Sequence, residues 1–443
     1  MKASVLSIRA RWASLDRSRI QRLAKESSWV VAGQIASVLG SLALVRVLTE
    51  YLSPAQYGEL ALGLTVAGLV NQVVMGGLNA GIGRFYSIAA EKNDLNGYLH
   101  ASRRLMGYAT VVVVAISTVL MVGLVWLGYS QWMGLAATAL VFSVLSGYNA
   151  SINGIQNAAR QRAIVAFHGG LDAWLKILLA VGVMLWLGST NASVVVLGYA
   201  LSSLLVTGSQ LFLLQKVIIP HLDRKQGNAQ IWAGQIWAYS WPFSIFGFFT
   251  WIHQASDRWA LQAFATTEGV GLYAVVFQLG YLPSVLLTGM VMTFLGPILY
   301  QRSGNATDPT RNTDVHRIVW QITQACFSLT ALVFVFTLLL HKWLFEILIA
   351  KEYQSLSYLL PWVVLAGGIF AAGQMLALKL MADMKTPIMT TAKIATAVLG
   401  ILLNLYGAST FGVEGLVAAQ VVFSMVYFSW MMWLAQHPKA ASV

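Results

Sequence analysis

Apolar runs alternate with short polar segments from residue 28 to residue 434. Each run is about twenty residues long, the length that carries a helix across ~30 Å of hydrocarbon. The pattern predicts twelve membrane-spanning helices, the first over 28–48 and the last over 412–434. In the first span Gly33, Ser37 and Ser41 recur every fourth residue, a small-residue stripe along which membrane helices approach closely. Pro242 and Pro283 fall inside spans and predict kinks. The polar stretch 216–235, with HLDRKQGN at its centre, divides an N-terminal half (28–215) from a C-terminal half (236–434). A basic segment (1–27) precedes the first half, and a short tail (435–443) follows the second.

The two halves repeat one motif. Val45 to Leu62 reads VRVLTEYLSPAQYGELAL, and Arg258 to Val275 reads RWALQAFATTEGVGLYAV. One constant offset aligns Leu48 with Leu261, Gly58 with Gly271, Ala61 with Ala274, Gly83 with Gly296 and Arg104 with Arg317. The same shift lays helices on helices and loops on loops, which predicts an internal duplication of the kind many transporters carry.

Composition agrees with a membrane chain. Apolar residues make up 58% and charged residues 10%, against roughly 25% charged in soluble domains. The single cysteine, Cys326, excludes an intramolecular disulfide and any CxxC site. A net charge of +12 raises the question of a nucleic-acid partner. However, Lys and Arg concentrate in alternate loops, and the other loops hold only Lys342 and Lys351. That asymmetry follows the positive-inside rule, so both termini are expected in the cytoplasm and no nucleic acid is expected as partner. Trp12, Leu15, Ile20 and Leu23 lie among the basic residues of segment 1–27, which is expected to lie on anionic headgroups.

Polar residues inside the spans are the candidate chemistry. Asn71, Met75 and Asn79 are spaced to share a face, with Arg84 beyond them. His168, Asp172 and Lys176 stand at i, i+4 and i+8, and His253 and Asp257 share a face beside Gln254 and Arg258. Lipid offers such groups no partner, so they are expected to face protein or water. Arg46 and the pair Asp257–Arg258 lie at matched depth, which predicts an outer gate where Arg46 pairs with Asp257 across the cleft. Two readings stay open for three cations: Arg46 as a snorkelling side chain, Lys176 as a partner of Asp172 alone, and Arg84 as a topology anchor. No GxxxxGK[ST], HExxH or GxSxG pattern occurs, and Ala274 breaks GxGxxG after Gly269-Val-Gly271. No catalytic residue, cofactor or metal is therefore expected.

The motif VRVLTEYLSPAQYGELAL, the exit GLNAGIGRFYS (Gly77–Ser87) and DRWALQAFATTEGVGLYAV (Asp257–Val275) resemble the polysaccharide flippases of bacterial envelope biogenesis. These Wzx-type translocases belong to the multidrug/oligosaccharidyl-lipid/polysaccharide exporter superfamily. The resemblance implies an all-α protein of two six-helix bundles around a central cavity, working by alternating access in the bacterial inner membrane. It implies a lipid-linked substrate, an undecaprenyl-diphosphate oligosaccharide moved from the cytoplasmic to the periplasmic leaflet. A polysaccharide polymerase and a chain-length regulator are its implied partners. It points at Arg46, Arg84, Asp257 and Gly271. The expected substrate-binding set is Arg46, Asn71, Asn79, Arg84, Lys176, Gln254 and Arg258, with arginine suited to bidentate phosphate contacts. Asp172, His253 and Asp257 are expected to gate or to couple. A drug or cation antiporter of the same superfamily is the alternative, and it would favour a cavity net negative around a carboxylate. A polymerase or ligase is disfavoured by the small external loops.

Topology gives the first prediction. A cysteine placed at Asn191 or Thr267 reacts with an impermeant thiol reagent from outside intact cells, and one at Asn228 does not. Labelling at Asn228 would reverse the assignment.

Overall fold

The computed structural model describes residues 17–217, 227–303, 309–383 and 385–437. Most of the expected basic segment and the last residues of the tail lie outside them. All elements among the described residues are helical. The N-terminal half contains α1 (Arg17–Tyr51), α2 (Pro54–Val70), a π turn (Asn71–Met75), α3 (Gly76–Glu91), α4 (Leu95–Trp126), α5 (Met133–Ala158), α6 (Arg162–Leu187) and α7 (Ala192–Val217). The C-terminal half contains α8 (Ala229–Phe264), α9 (Thr267–Gly280), α10 (Leu282–Ser303), α11 (Pro309–Leu348), a 3-10 segment (Lys351–Leu359), α12 (Leu360–Ala382) and α13 (Thr386–Gln436).

Ten of these helices or helix pairs are long and apolar enough to cross a membrane. To them are added α8, helical over 36 residues, and a second rod of α13, which folds back at Gly412. Gly412 has φ 59 and ψ −131, a conformation that suits glycine alone. The described residues thus form twelve rods, six in each half.

Three boundaries differ from the sequence expectation. Asn228 caps α8 through Ile231 N–H, so helix begins at Ala229, inside the stretch expected to be loop. The segment carrying Lys342 and Lys351, a charge-poor loop by the sequence, is helical to Leu348 and then a 3-10 segment. The π turn interrupts the second span, so Asn71, Met75 and Asn79 do not form one continuous α-helical face. The wider i→i+5 turn rotates everything after it. Asn71 bonds Ser146 at 2.9 Å, and Met75 is buried against Gly147.

The duplicated motif builds the same start twice. Ser53 caps α2 in a capping box with Gln56, and Thr266 caps α9 through Gly269 N–H. Ser53 and Thr266 are equivalent under the repeat offset. A side-chain oxygen at this position satisfies an N–H that helix geometry leaves unpaired. The two helices then cross at their glycines. A Cβ on Gly58 would stand 2.0 Å from the Thr267 carbonyl oxygen, and one on Gly271 would stand 1.9 Å from that of Pro54. Pro54 and Thr267 are also equivalent positions, so the contact is reciprocal, as a pseudo-twofold axis between the halves requires.

The core divides by depth. At the end of the bundle holding the short, charge-poor loops, one apolar cluster joins both halves. It runs from Val45, Leu48 and Tyr57 to Leu261, Tyr273, Phe345 and Tyr353. At the opposite end, where the basic loops lie, the clusters separate. One holds Leu78, Ile82, Tyr98 and Met106 with Trp232 and Ile236 of α8, and the other holds Leu299, Val319, Leu376 and Met431. The halves therefore meet at the short-loop end and part toward the basic-loop end. Among the described residues helix α8 bridges them there, with Gly77 and Gly81 of α3 set against Ser244 and Ser240.

The glycine crossing is testable. Gly271→Ala places a methyl group against backbone that cannot turn away, and overpacking of this kind costs about 1–3 kcal/mol. The variant melts at a lower temperature in detergent than the wild type. Gly83→Ala, with nothing within 4 Å of the added carbon, melts as the wild type does.

Candidate functional site

A cavity of about 590 Å³ lies between the halves. Ser37 and Ser41 of α1, Tyr57 and Thr65 of α2, Gln72 of the π turn, and Asp172 and Lys176 of α6 form one wall. Trp251, Gln254 and Arg258 of α8 and Gln278 of α9 form the other. Local sequence explains the α1 wall. Ala166 and Ala173 of α6 pack against Gly33 and Gly40, and Ser37 and Ser41 return their hydroxyls to carbonyls of their own helix. That back-bonding satisfies the hydroxyls where lipid offers no partner.

Charges in and beside the cavity are neutralised within each half. Lys176 Nζ meets Asp172 Oδ2 at 2.5 Å, and the other carboxylate oxygen accepts from Ser202 at 3.3 Å. Arg258 donates to Asp257 Oδ1 and to the Gln254 carbonyl, both at 3.2 Å, and lies over the Phe277 ring. Asp257 is only 2% exposed. It accepts from Tyr273 Oη at 3.0 Å and from the Arg258 backbone N–H at 2.7 Å.

Around the cavity and at the short-loop end, the contacts across the halves are neutral instead. Gln72 donates to Gln254 at 2.7 Å, and Tyr57 donates to Gln278 at 3.0 Å. Two indoles of α8 converge on one residue of α2: Trp251 donates to the Thr65 carbonyl at 2.7 Å, and Trp259 donates to its hydroxyl at 2.9 Å. At the short-loop end Ala350 N–H donates to Thr49, and Tyr353 donates to the Leu52 carbonyl at 2.8 Å.

The expected gate pair is not formed. Arg46 pairs with Glu50 on its own helix at 2.6 Å, while Asp257 is held by Arg258 and Tyr273. Glu50 stands one turn from Arg46, an i,i+4 neighbour already in reach. Asp257 has nearer donors on its own side.

Of the ten expected site residues, Asp172, Lys176, Gln254 and Arg258 line the cavity, and Asp257 stands directly behind Arg258. The cavity wall does not include Arg46, Asn71, Asn79, Arg84 or His253. Arg84 is exposed on α3. The oxygen of the Asn79 amide is buried without a partner among the described residues. The His253 ring packs on Phe423, 4.4 Å between centroids, and meets Gly400. Sequence reasoning missed Tyr57, Thr65, Gln72, Trp251 and Gln278 as wall residues. Gln72 and Gln278 carried a readable signal, because each is an amide inside an apolar span. Which way Tyr57 and Trp251 face is set by packing alone.

Residues 23–302 match the family model described as polysaccharide biosynthesis protein. No curated protein matches the sequence. The fold resembles lipid II flippase MurJ in an inward closed conformation, with TM-score 0.69 and 11% identity over 93% of this chain and 87% of that chain. It also resembles a multidrug resistance MATE family transporter of the MOP superfamily in an inward-facing conformation. There the TM-score is 0.60 and the identity 16%, over 93% of this chain and 96% of that chain. A MOP superfamily transporter from Pyrococcus furiosus gives 0.54 at 16% identity, over 94% and 97% of the two chains.

The Asp172–Lys176 pair supplies a prediction that separates folding from function. Lys176→Met strands a half-buried carboxylate and lowers stability by about 1–3 kcal/mol. Lys176→Met with Asp172→Leu recovers the thermal stability, because neither charge remains. If the pair serves transport, the double variant stays inactive although it is folded. Full activity in the folded double variant would make the pair structural only.

Proposed function

The chain belongs to the polysaccharide biosynthesis protein family, and on that premise we propose that it is a transporter for a lipid-linked oligosaccharide. The substrate is an undecaprenyl-diphosphate-linked repeat unit of O-antigen or exopolysaccharide, turned from the cytoplasmic to the periplasmic leaflet of a bacterial inner membrane. The observation that carries this reading is the division of the core. One apolar cluster spans both halves at the short-loop end, and two separate clusters lie at the basic-loop end. With the basic loops cytoplasmic, this arrangement is a carrier closed to the periplasm with its cavity inside. A matching closure on the opposite side would complete alternating access.

The wall chemistry suits such a cargo. Amides, hydroxyls and the faces of Tyr57 and Trp251 offer sugars the hydrogen bonds and apolar faces they need. Lys176 and Arg258 exchange their carboxylate partners for diphosphate oxygens, and arginine does so with two parallel bonds. Gln254 then orients the glycan. Arg84 meets the diphosphate before entry, and Arg46 meets it at the far mouth. Asn71 and Asn79 tune the helix behind the wall, and Asp257 with His253 responds to the coupling ion. A polymerase and a chain-length regulator receive the product. The competing reading is a drug or cation antiporter of the same superfamily. It is less well served, because Lys176 and Arg258 outnumber Asp172 on the wall.

The test is made in cells whose only copy is a variant. Loss of the chain makes lipid-linked oligosaccharide accumulate at the cytoplasmic face, and the wild type relieves it. Drug efflux without that relief would select the antiporter. Arg84→Lys keeps the charge at an exposed site but removes the planar fork, so export falls about tenfold at normal protein level, the scale of one lost ~1.4 kcal/mol contact. Full export by the lysine variant would remove Arg84 from the path.

A further inference from the structure

The connection between the third and fourth rods breaks the repeat. In the N-terminal half it holds a three-residue turn, Ser130–Trp132, and in the C-terminal half a nine-residue 3-10 segment, Lys351–Leu359. The far end of this longer segment is tied to its own half. Ser357 meets the Nδ1 of His341 on α11 at 3.1 Å, and Tyr358 donates to Glu414 of α13. The near end reaches across to the N-terminal half. Ala350 N–H donates to Thr49 Oγ1 at 3.2 Å, and Tyr353 Oη donates to the Leu52 carbonyl at 2.8 Å. Tyr353 is 1% exposed, and Thr49 and Leu52 are 2% exposed. Between the two sets of contacts Leu356, with φ −100 and ψ 15, interrupts the helical geometry.

Both crossing bonds join groups that helix ends leave over. Helix α1 ends at Tyr51, so the Leu52 carbonyl lies beyond its ladder. Ala350 is extended, with φ −66 and ψ 156, and its N–H lies past the end of α11. Thr49 gives its own proton to the Arg46 carbonyl at 3.0 Å, which turns a lone pair toward Ala350. A buried group of this kind is costly when unpaired, yet it exchanges its partner for water at little cost once exposed. We propose that the 3-10 segment is a strap that latches the short-loop end shut, with Ala350 and Tyr353 as its releasable contacts and Ser357 and Tyr358 as its anchor. It fills the gating role that Arg46 and Asp257 do not take. The strap rests on the transporter reading above, in which the central cavity opens to either side in turn.

Thiol labelling in intact cells tests this, with Cys326→Ser as the background and Ser41→Cys on the cavity wall as the reporter. A membrane-impermeant maleimide is added outside, and its rate follows the population open to that side. Tyr353→Phe keeps the ring and removes only the donor, and it labels about fivefold faster, the scale of one neutral hydrogen bond. Thr49→Val removes the second contact with a like effect, and the two together label faster than either alone. Tyr98→Phe is the control. It loses a similar bond, to the Ile82 carbonyl within the N-terminal half, and labels as the background does. Unchanged rates in both Tyr353→Phe and Thr49→Val overturn the proposal, and so does an equal acceleration in Tyr98→Phe. Labelling needs no cargo, so failure to relieve accumulated lipid-linked oligosaccharide, with these rates as expected, overturns the cargo reading and leaves the strap standing.

Discussion

The structure depends on the close approach of two helix starts at Gly58 and Gly271. Each glycine lies under the carbonyl that precedes the other by one turn, and no other residue fits there without moving backbone. The crossing works through close backbone packing. It buries no charge. Such a contact can be opened and remade without the desolvation cost of separating an ion pair. The remaining short-loop contacts gather around it, including Tyr57 edge-on to Tyr353 at 5.8 Å.

The same economy governs the cavity. Ion pairs stay within a half, Lys176 with Asp172 and Arg258 with Asp257. Bonds between halves at the cavity run among amides, indoles, hydroxyls and carbonyls. A neutral hydrogen bond contributes a net ~1 kcal/mol, so exchanging a handful of them costs little. Charges paired within one half do not hold the two halves together.

Helix α8 is the exception, since it is the helix of the C-terminal half that also packs along the N-terminal half. Trp232, bonded to Asp94 of the N-terminal half at 2.7 Å, anchors its first turns. Ser256, bonded to Asn404 of α13 at 2.9 Å, anchors its later turns. Pro242 and Gly247 lie between the two anchors, and Gly247 takes the Gln72 carbonyl of the π turn at close range. A proline removes one backbone bond and a glycine one side chain, so any relative motion of the halves concentrates bending in this stretch.

The sequence alone determined the membrane class, the twelve rods and the twofold repeat. Hydrocarbon thickness sets the length of an apolar run, and a duplicated motif repeats its caps, Ser53 and Thr266. It also marked Asp172, Lys176, Gln254 and Arg258, because a polar group inside a span is costly wherever it stands. Tertiary structure decided which polar groups share a space. Arg46 turned to Glu50, Asn71 to Ser146 and His253 to Phe423, since each found a nearer partner than the cavity. The π turn rotated the second span by an amount that no residue pattern encodes. Tyr57, Thr65 and Trp251 became wall residues only when α2 and α8 packed, because a side chain's direction follows from the helix it meets.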